Sequence, residues 1–201
     1  MARIIKFPIS EEPVKLGFKK VRKSRRINLE DFGQLNMFDQ QTKVIALNTH
    51  DSYFEQALYF DEQGDELAKE YYWKAIKAGE SVADAYCNLG IIESEIDNVK
   101  AIDCFTKCLK EDPRHFEAHY NLANIYSEAG NLDLAKMHYN LAIKLEPDFG
   151  SAYYNLGLVL ALKEEYEEAI DVLVRFKMMA NDDQLGHANK LIETLKRTVN
   201  N

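Results

Sequence analysis

The chain has 201 residues, a net charge of −8 and a hydrophobic fraction of 46%, which suits one substantial core or a smaller domain with a tail. No apolar run approaches the roughly 20 residues of a membrane-spanning helix, and no apolar signal core follows the N-terminus. The three cysteines show neither a CxxC spacing nor an even-numbered framework, which favours a reducing compartment, so we expect a soluble cytoplasmic protein.

Residues 1–48 are predicted to form a basic, flexible tail. Residues 1–26 carry a net charge of +7 and the remaining residues −15, and the tail lacks sustained apolar periodicity. Its basic run is a candidate for binding nucleic acid or another anionic surface, or for a nuclear address if the source has a nucleus. The run comprises Lys19, Lys20, Arg22, Lys23, Arg25 and Arg26. No nucleic-acid-binding fold is recognisable around it, so this is an alternative function.

A short motif in the same tail suggests a second alternative. Gln34, Leu35, Asn36, Met37 and Phe38 resemble the QLxLF-type motif by which bacterial proteins dock onto the replication sliding clamp. The competing interpretation is a hydrophobic patch that packs on the first repeat.

From about residue 49 the sequence repeats with a period of 33 or 34 residues. The stretches CNLGIIESE, YNLANIYSE and YNLGLVLAL begin at Cys87, Tyr120 and Tyr154, and a divergent copy precedes them. In each copy a small residue is followed by a second segment with apolar residues every three to four positions, which predicts paired helices. We expect the small residues Gly90, Ala123 and Gly157 to face Ala101, Ala135 and Ala169, because helices approach closely only at such residues.

Residues 49–183 resemble the tetratricopeptide repeat family. The third copy carries most of the resemblance, through Leu122, Ala123, Tyr126, Gly130, Ala135, Tyr139, Ala142 and Pro147. The resemblance implies an all-α, superhelical solenoid of about four helix pairs. The predicted repeats are 49–82, 83–115, 116–149 and 150–183, and residues 184–201 are predicted to be a C-terminal capping helix.

The resemblance also implies a concave groove lined by the first helix of each pair. The ladder of Asn88, Asn121 and Asn155 is expected to bind the backbone of an extended peptide, because an amide side chain both donates and accepts. The surface holds seven carboxylates and no Lys or Arg, so we expect a basic or neutral protein or peptide and no clamp for a terminal carboxylate. The alternative is that the asparagines merely solvate an exposed face. The predicted groove residues are Asn88, Asn121, Asn124, Asn155, Tyr120, Tyr154, Glu117, Glu128 and Asp84.

The chain's own tail is itself a basic peptide. We therefore expect residues 15–26 (KLGFKKVRKSRR) to lie in or near the groove and to compete with outside ligands. Deleting residues 1–48 should then tighten peptide binding at low salt. A further alternative is a structural module that self-associates through an exposed terminal repeat.

Metal and catalytic chemistry are not expected. Cys104 and Cys108 are one helical turn apart, as are His115 and His119, a spacing that metal ligands can share. Cys108 occupies the place that Ala75 has in the first copy, so packing accounts for it. The chain has no nucleophile elbow, Gly-rich phosphate loop or HExxH motif. We therefore expect a non-enzymatic scaffold without a metal or cofactor.

Overall fold

A computed structural model describes residues 17–21 and 52–200. These residues form nine α-helices and no strand: α1 (Tyr53–Glu62), α2 (Leu67–Ala78), α3 (Val82–Ser94), α4 (Asn98–Glu111), α5 (Phe116–Glu128), α6 (Leu132–Leu145), α7 (Gly150–Leu162), α8 (Tyr166–Lys177) and α9 (Asp182–Val199). Helices α1 to α8 make four consecutive pairs and α9 follows them, so the predicted all-α fold is confirmed. None of the helices described is long and apolar enough to span a bilayer.

The described residues divide into two compact units. The N-terminal unit contains residues 20–21 and 52–118, and the C-terminal unit contains residues 17–19 and 119–200. Short pieces of the tail therefore belong to both units, and the boundary falls within α5.

Each unit has its own apolar core. In the N-terminal unit Phe54 and Tyr72 pack with the alanines of the paired helices. In the C-terminal unit the core extends to Ala188, Ile192 and Leu195 of α9, which packs on α8. The apolar stripe of α9 therefore covers the last helix pair, which is the role expected of a capping helix.

Local signals start and end the helices where the sequence places them. Ser52 accepts from the Glu55 amide while the Glu55 carboxylate accepts from the Ser52 amide, which forms a capping box at the start of α1. Gly130 has a φ of 76° in the turn after α5, a conformation that costs glycine little. Pro113 and Pro147 lie between helices, after α4 and α6 have ended.

Gly90 and Gly157 leave room for large side chains of the partner helix. A Cβ added to Gly90 would lie 2.8 Å from Phe105 Cε1, and one added to Gly157 would lie 2.6 Å from Leu173 Cγ. The atoms nearest to these glycines thus come from the residue one turn beyond Ala101 or Ala169. The physical reason is that a missing side chain on one helix leaves room for a bulky one on its partner.

Candidate functional site

The C-terminal unit holds the tail through one asparagine of α5. Asn121 Oδ1 accepts from the Lys19 amide at 2.9 Å, and Asn121 Nδ2 donates to the Lys19 carbonyl at 3.0 Å. One side chain thereby satisfies both backbone groups of one residue. Neither bond involves the lysine side chain, so the contact is made to backbone groups alone, which every residue except proline offers in full.

A buried network supports a second backbone contact in this unit. The Tyr120 hydroxyl donates to the Gly17 carbonyl at 2.9 Å and accepts from Asn155 Nδ2 at 3.1 Å. Asn155 also donates to Asn124 Oδ1 at 3.0 Å, which accepts from the Tyr139 hydroxyl at 2.5 Å as well. Asn155 is 1% exposed. These contacts join Asn155, Tyr120, Asn124 and Tyr139 in one hydrogen-bond network.

The N-terminal unit repeats the asparagine contact at the equivalent position of α3. Asn88 Oδ1 accepts from the Val21 amide at 2.9 Å, and Asn88 Nδ2 donates to the Val21 carbonyl at 2.9 Å. Asn88 Nδ2 also donates to the Tyr72 hydroxyl at 3.1 Å, which donates to Asp61 Oδ2 at 3.1 Å. Asp61 Oδ1 accepts from Lys20 Nζ at 2.6 Å. This unit therefore contacts both backbone and a cationic side chain.

We call these two groups the Asn121 cluster (Asn121, Tyr120, Asn155, Asn124 and Tyr139) and the Asn88 cluster (Asn88, Tyr72 and Asp61). Burial is the largest cause that raises the pKa of Tyr120, to about 12, and it also raises the pKa of Tyr72, with a further contribution from the Asp61 charge. Both hydroxyls therefore remain protonated donors throughout the neutral range.

The asparagines occupy equivalent places because each directly precedes a buried leucine of its helix. Leu89 and Leu122 point into the cores, so the residue before each lies about 100° around the helix, beside the core. Asn88 and Asn121 are themselves buried, and each hydrogen-bonds to both backbone groups of one tail residue. The alternative of a solvated, exposed face therefore does not describe them.

Other predicted groove residues have different surroundings. Tyr154 is a core residue whose ring centroid lies 5.0 Å from that of Phe176, and its assignment to the groove stays a prediction. Asp84 and Glu117 flank His115, at 3.1 Å and 3.3 Å from its two ring nitrogens. Glu128 is exposed near the end of α5.

Two contact residues were not anticipated from sequence. Asp61 lies near the end of α1, in the copy that departs most from the repeat pattern, so no equivalent residue in another copy pointed to it. Phe149 precedes α7, and Lys19 Nζ lies 5.6 Å from the centre of its ring, a cation–π distance. Tyr72 did offer a signal, because a tyrosine at a core position requires a partner for its hydroxyl.

Helical spacing paired Cys104 with Cys108 and His115 with His119, but the structure brings a different set of possible metal ligands together. The ligand atoms of Cys87, Cys108 and His115 lie within 4.8 Å of one another. His119 faces His138 instead, with the two Nδ1 atoms 3.0 Å apart. The expectation that packing alone explains Cys108 is therefore incomplete.

Several predicted residues lie outside the described part of the chain. They are the basic residues Arg22, Lys23, Arg25 and Arg26 and the motif residues Gln34, Leu35, Met37 and Phe38. Nucleic-acid binding and sliding-clamp docking through them stay predictions.

Comparison with family models shows three consecutive matches. The models are described as "Tetratricopeptide repeat" over residues 104–137, "TPR repeat" over residues 123–164 and "Tetratricopeptide repeat" over residues 150–183. Together they extend from residue 104, within α4, to residue 183, and so include both later helix pairs.

Curated relatives match over much less than their own lengths. The human protein O-mannosyl-transferase TMTC3 is 29% identical over 113 residues, which is 54% of this chain and 12% of the relative. The human general transcription factor 3C polypeptide 3 is 29% identical over 119 residues, 58% of this chain and 13% of the relative. Protein bimA of Emericella nidulans is 38% identical over 48 residues, 24% of this chain and 6% of the relative. The chain thus spans about a tenth of these relatives.

Solved structures share the fold at low sequence identity. MamA has a TM-score of 0.56 at 21% identity, with 72% of this chain and 97% of that chain covered. The first TPR of Spaghetti (RPAP3), bound to an HSP90 peptide, has a TM-score of 0.52 at 24% identity and covers 57% and 95%. The TPR2B domain of yeast Sti1, in a complex with pHsp70, has 0.54 at 19% and covers 58% and 97%.

Proposed function

This chain belongs to the tetratricopeptide repeat family, and from that premise we propose that it is a non-enzymatic protein-interaction scaffold that binds extended, basic peptides. The observation that carries the proposal is the pairing of Asn121 with both backbone groups of Lys19 and of Asn88 with both backbone groups of Val21. The bound segment is the chain's own, and an outside peptide would replace it.

The spacing of the two contacts supports an extended ligand. Lys19 and Val21 are two residues apart, and alternate residues of an extended chain present their backbone groups in the same direction. A ligand held in this way needs no particular side chain at either position. Backbone pairing thus supplies affinity that is tolerant of sequence.

Charge supports a preference for basic ligands. Lys20 pairs with Asp61, whose side chain is 10% exposed, and Lys19 lies against the Phe149 ring. Residues 27–201 carry a net charge of −15, which attracts cationic peptides during encounter. A peptide with lysine or arginine before the residue bound by Asn88 should therefore be preferred.

Two of the similar solved structures, those of Spaghetti and Sti1, hold HSP90 and pHsp70 ligands, so the fold is suited to peptides. In this chain the bound segment is covalently attached. An attached ligand is present at a high effective concentration, and an outside peptide has to displace it. The tail therefore acts as an internal competitor.

Proline substitution in the full chain tests the proposal. The double variant Lys19→Pro and Val21→Pro lacks both amide donors to the asparagines, so the internal segment should be released. A fluorescent KLGFKKVRKSRR peptide should then bind this variant at least tenfold more tightly than the unaltered chain, as measured by anisotropy at low salt.

The matched control is the double variant Lys19→Ala and Val21→Ala, which retains both amide donors. It should keep most of the competition, because the backbone bonds remain. Equal peptide affinity in all three proteins would contradict the proposal, and so would an alanine variant that releases the segment as fully as the proline variant does.

A further inference from the structure

A cluster of two thiols and one imidazole lies in the N-terminal unit, where Cys87 directly precedes Asn88 in the chain. Cys87 is in α3, Cys108 is in the last turn of α4, and His115 directly precedes α5. Their ligand atoms lie within 4.8 Å of one another, and all three residues are buried. Three separate elements thus bring soft donors to one point.

The donor types suit a particular class of ion. Two cysteine sulfurs with a histidine nitrogen form a ligand set that zinc accepts, whereas calcium and magnesium require oxygen ligands. Metal-binding histidines commonly direct the second ring nitrogen to a carboxylate, which orients the ring. Here His115 Nε2 lies 3.1 Å from Asp84, while Nδ1 lies 3.3 Å from Glu117 and accepts from the Ala118 amide at 3.3 Å. Asp84 is therefore placed to orient the ring through Nε2, and an ion at Nδ1 would replace the bond from Ala118.

We propose that Cys87, Cys108 and His115 bind one zinc-class cation, which ties α3 and α4 to the start of α5. Each thiol that binds loses its proton to solvent, and the imidazole binds in its neutral form. Asp84 lies one helical turn before Cys87 and supplies a carboxylate beside the ligand set.

Cys104 provides an internal comparison. It lies in α4 one turn before Cys108 but belongs to the apolar core of the N-terminal unit, and burial raises its pKa to about 11. A thiol in this setting is expected to be inert. The Cys104→Ala variant therefore controls for the loss of a buried cysteine from the same helix.

The test is a metal titration of the full chain, freed of metal by a chelator and kept reduced. Cobalt is the optical probe, because thiolate-bound Co²⁺ absorbs through charge transfer in the near ultraviolet. We expect the absorption to saturate at one equivalent per chain and zinc to displace the cobalt. We also expect zinc to raise the melting temperature, because it binds the folded state.

Variants separate the ligand set from general damage to the fold. Cys108→Ala, Cys87→Ser and His115→Gln should each abolish the charge-transfer band or weaken binding at least tenfold, while Cys104→Ala should retain it. Two other copies already have alanine at the position of Cys108, namely Ala75 and Ala142. Circular dichroism of Cys108→Ala should therefore show that its helices persist. Absence of a saturable thiolate band in the unaltered chain would overturn the proposal. Unchanged cobalt binding by Cys108→Ala, or equal loss in Cys104→Ala, would do the same.

Discussion

The Asn121 and Asn88 clusters hold the tail by the same asparagine geometry but differ in what surrounds it. The Asn121 cluster consists of neutral amides and hydroxyls, and its members Asn155 and Asn124 are buried. The Asn88 cluster ends in a carboxylate, Asp61, which accepts from both Tyr72 and Lys20. Equivalent positions of the repeat therefore contact backbone in both units, and the cationic side chains meet different partners, the Phe149 ring in one unit and the Asp61 carboxylate in the other.

Under the proposed function, this difference would combine tolerance for sequence with selectivity for charge. The asparagines stand at equivalent positions of two copies, whereas the Asp61 carboxylate comes from the divergent first copy. Ion pairing with a basic side chain would then be local to the Asn88 cluster. Replacing Asn88 or Asn121 should therefore reduce the protection of the tail amides from hydrogen exchange more than replacing Asp61.

The largest effect is expected when either asparagine is truncated. Asn121→Ala removes two hydrogen bonds to Lys19, and Asn88→Ala removes two to Val21, each pair worth about 1–3 kcal/mol in net terms. Hydrogen exchange of the corresponding tail amide, measured by NMR on the full chain, should accelerate by roughly 5- to 150-fold.

The exposed Asn140 of α6 offers the control variant Asn140→Ala, which should leave both amides unchanged. If the clusters act independently, Asn121→Ala should affect the Lys19 amide more than the Val21 amide. Uniform acceleration of both would show that the segment is released as one piece. No acceleration of either would contradict the assigned contacts.

A smaller effect is expected from filling the glycine contacts in the two units. Gly157→Ala places a Cβ 2.6 Å from the branch point of Leu173, and Gly90→Ala places one 2.8 Å from the Phe105 ring edge. Overpacking costs about 1–3 kcal/mol, of which the better helix propensity of alanine offsets up to about 1 kcal/mol. Thermal unfolding should show a loss in both variants, larger for Gly157→Ala.

Gly186→Ala is the matched control, because Gly186 lies within α9 and a Cβ there meets no atom within 4 Å. It should be neutral or raise the stability by up to about 1 kcal/mol. A Gly157→Ala protein as stable as the Gly186→Ala protein would show that Leu173 can move aside at no cost.

The smallest effect is expected from the charge that distinguishes the two clusters. Asp61→Asn keeps an acceptor for the Tyr72 hydroxyl but removes the ion pair with Lys20, whose side chain is 37% exposed. The loss should stay below about 1 kcal/mol because solvent screens such a pair. Protection of the Val21 amide should fall with added salt in the unaltered chain and show a weaker salt dependence in the variant.

Asp171→Asn, at an exposed position of α8, changes the net charge equally and should leave the salt dependence of the Val21 amide intact. If both variants respond alike, general charge attraction accounts for the effect, and the Lys20 to Asp61 contact contributes no selectivity.

The repeat register predicted where the three asparagines lie. Asn88 and Asn121 stand at equivalent places, and both contact the tail backbone. Asn155 has the same place in the next copy and hydrogen-bonds to Tyr120 and Asn124, and its binding of a peptide stays a prediction. The register of a repeat determines where a side chain starts, and its neighbours determine which groups it reaches.

The sequence by itself determined the paired helices, because the period of small and apolar residues reports packing between helices that follow one another closely along the chain. It also marked the boundaries, through Gly130, Pro113 and Pro147. Only the tertiary structure decided which polar groups meet. The contact of Asp61 with Lys20, and that of Cys87 with Cys108 and His115, join elements without a recognisable spacing. Hydrogen bonds and ligand sets depend on distances of a few ångströms, which only packed side chains define.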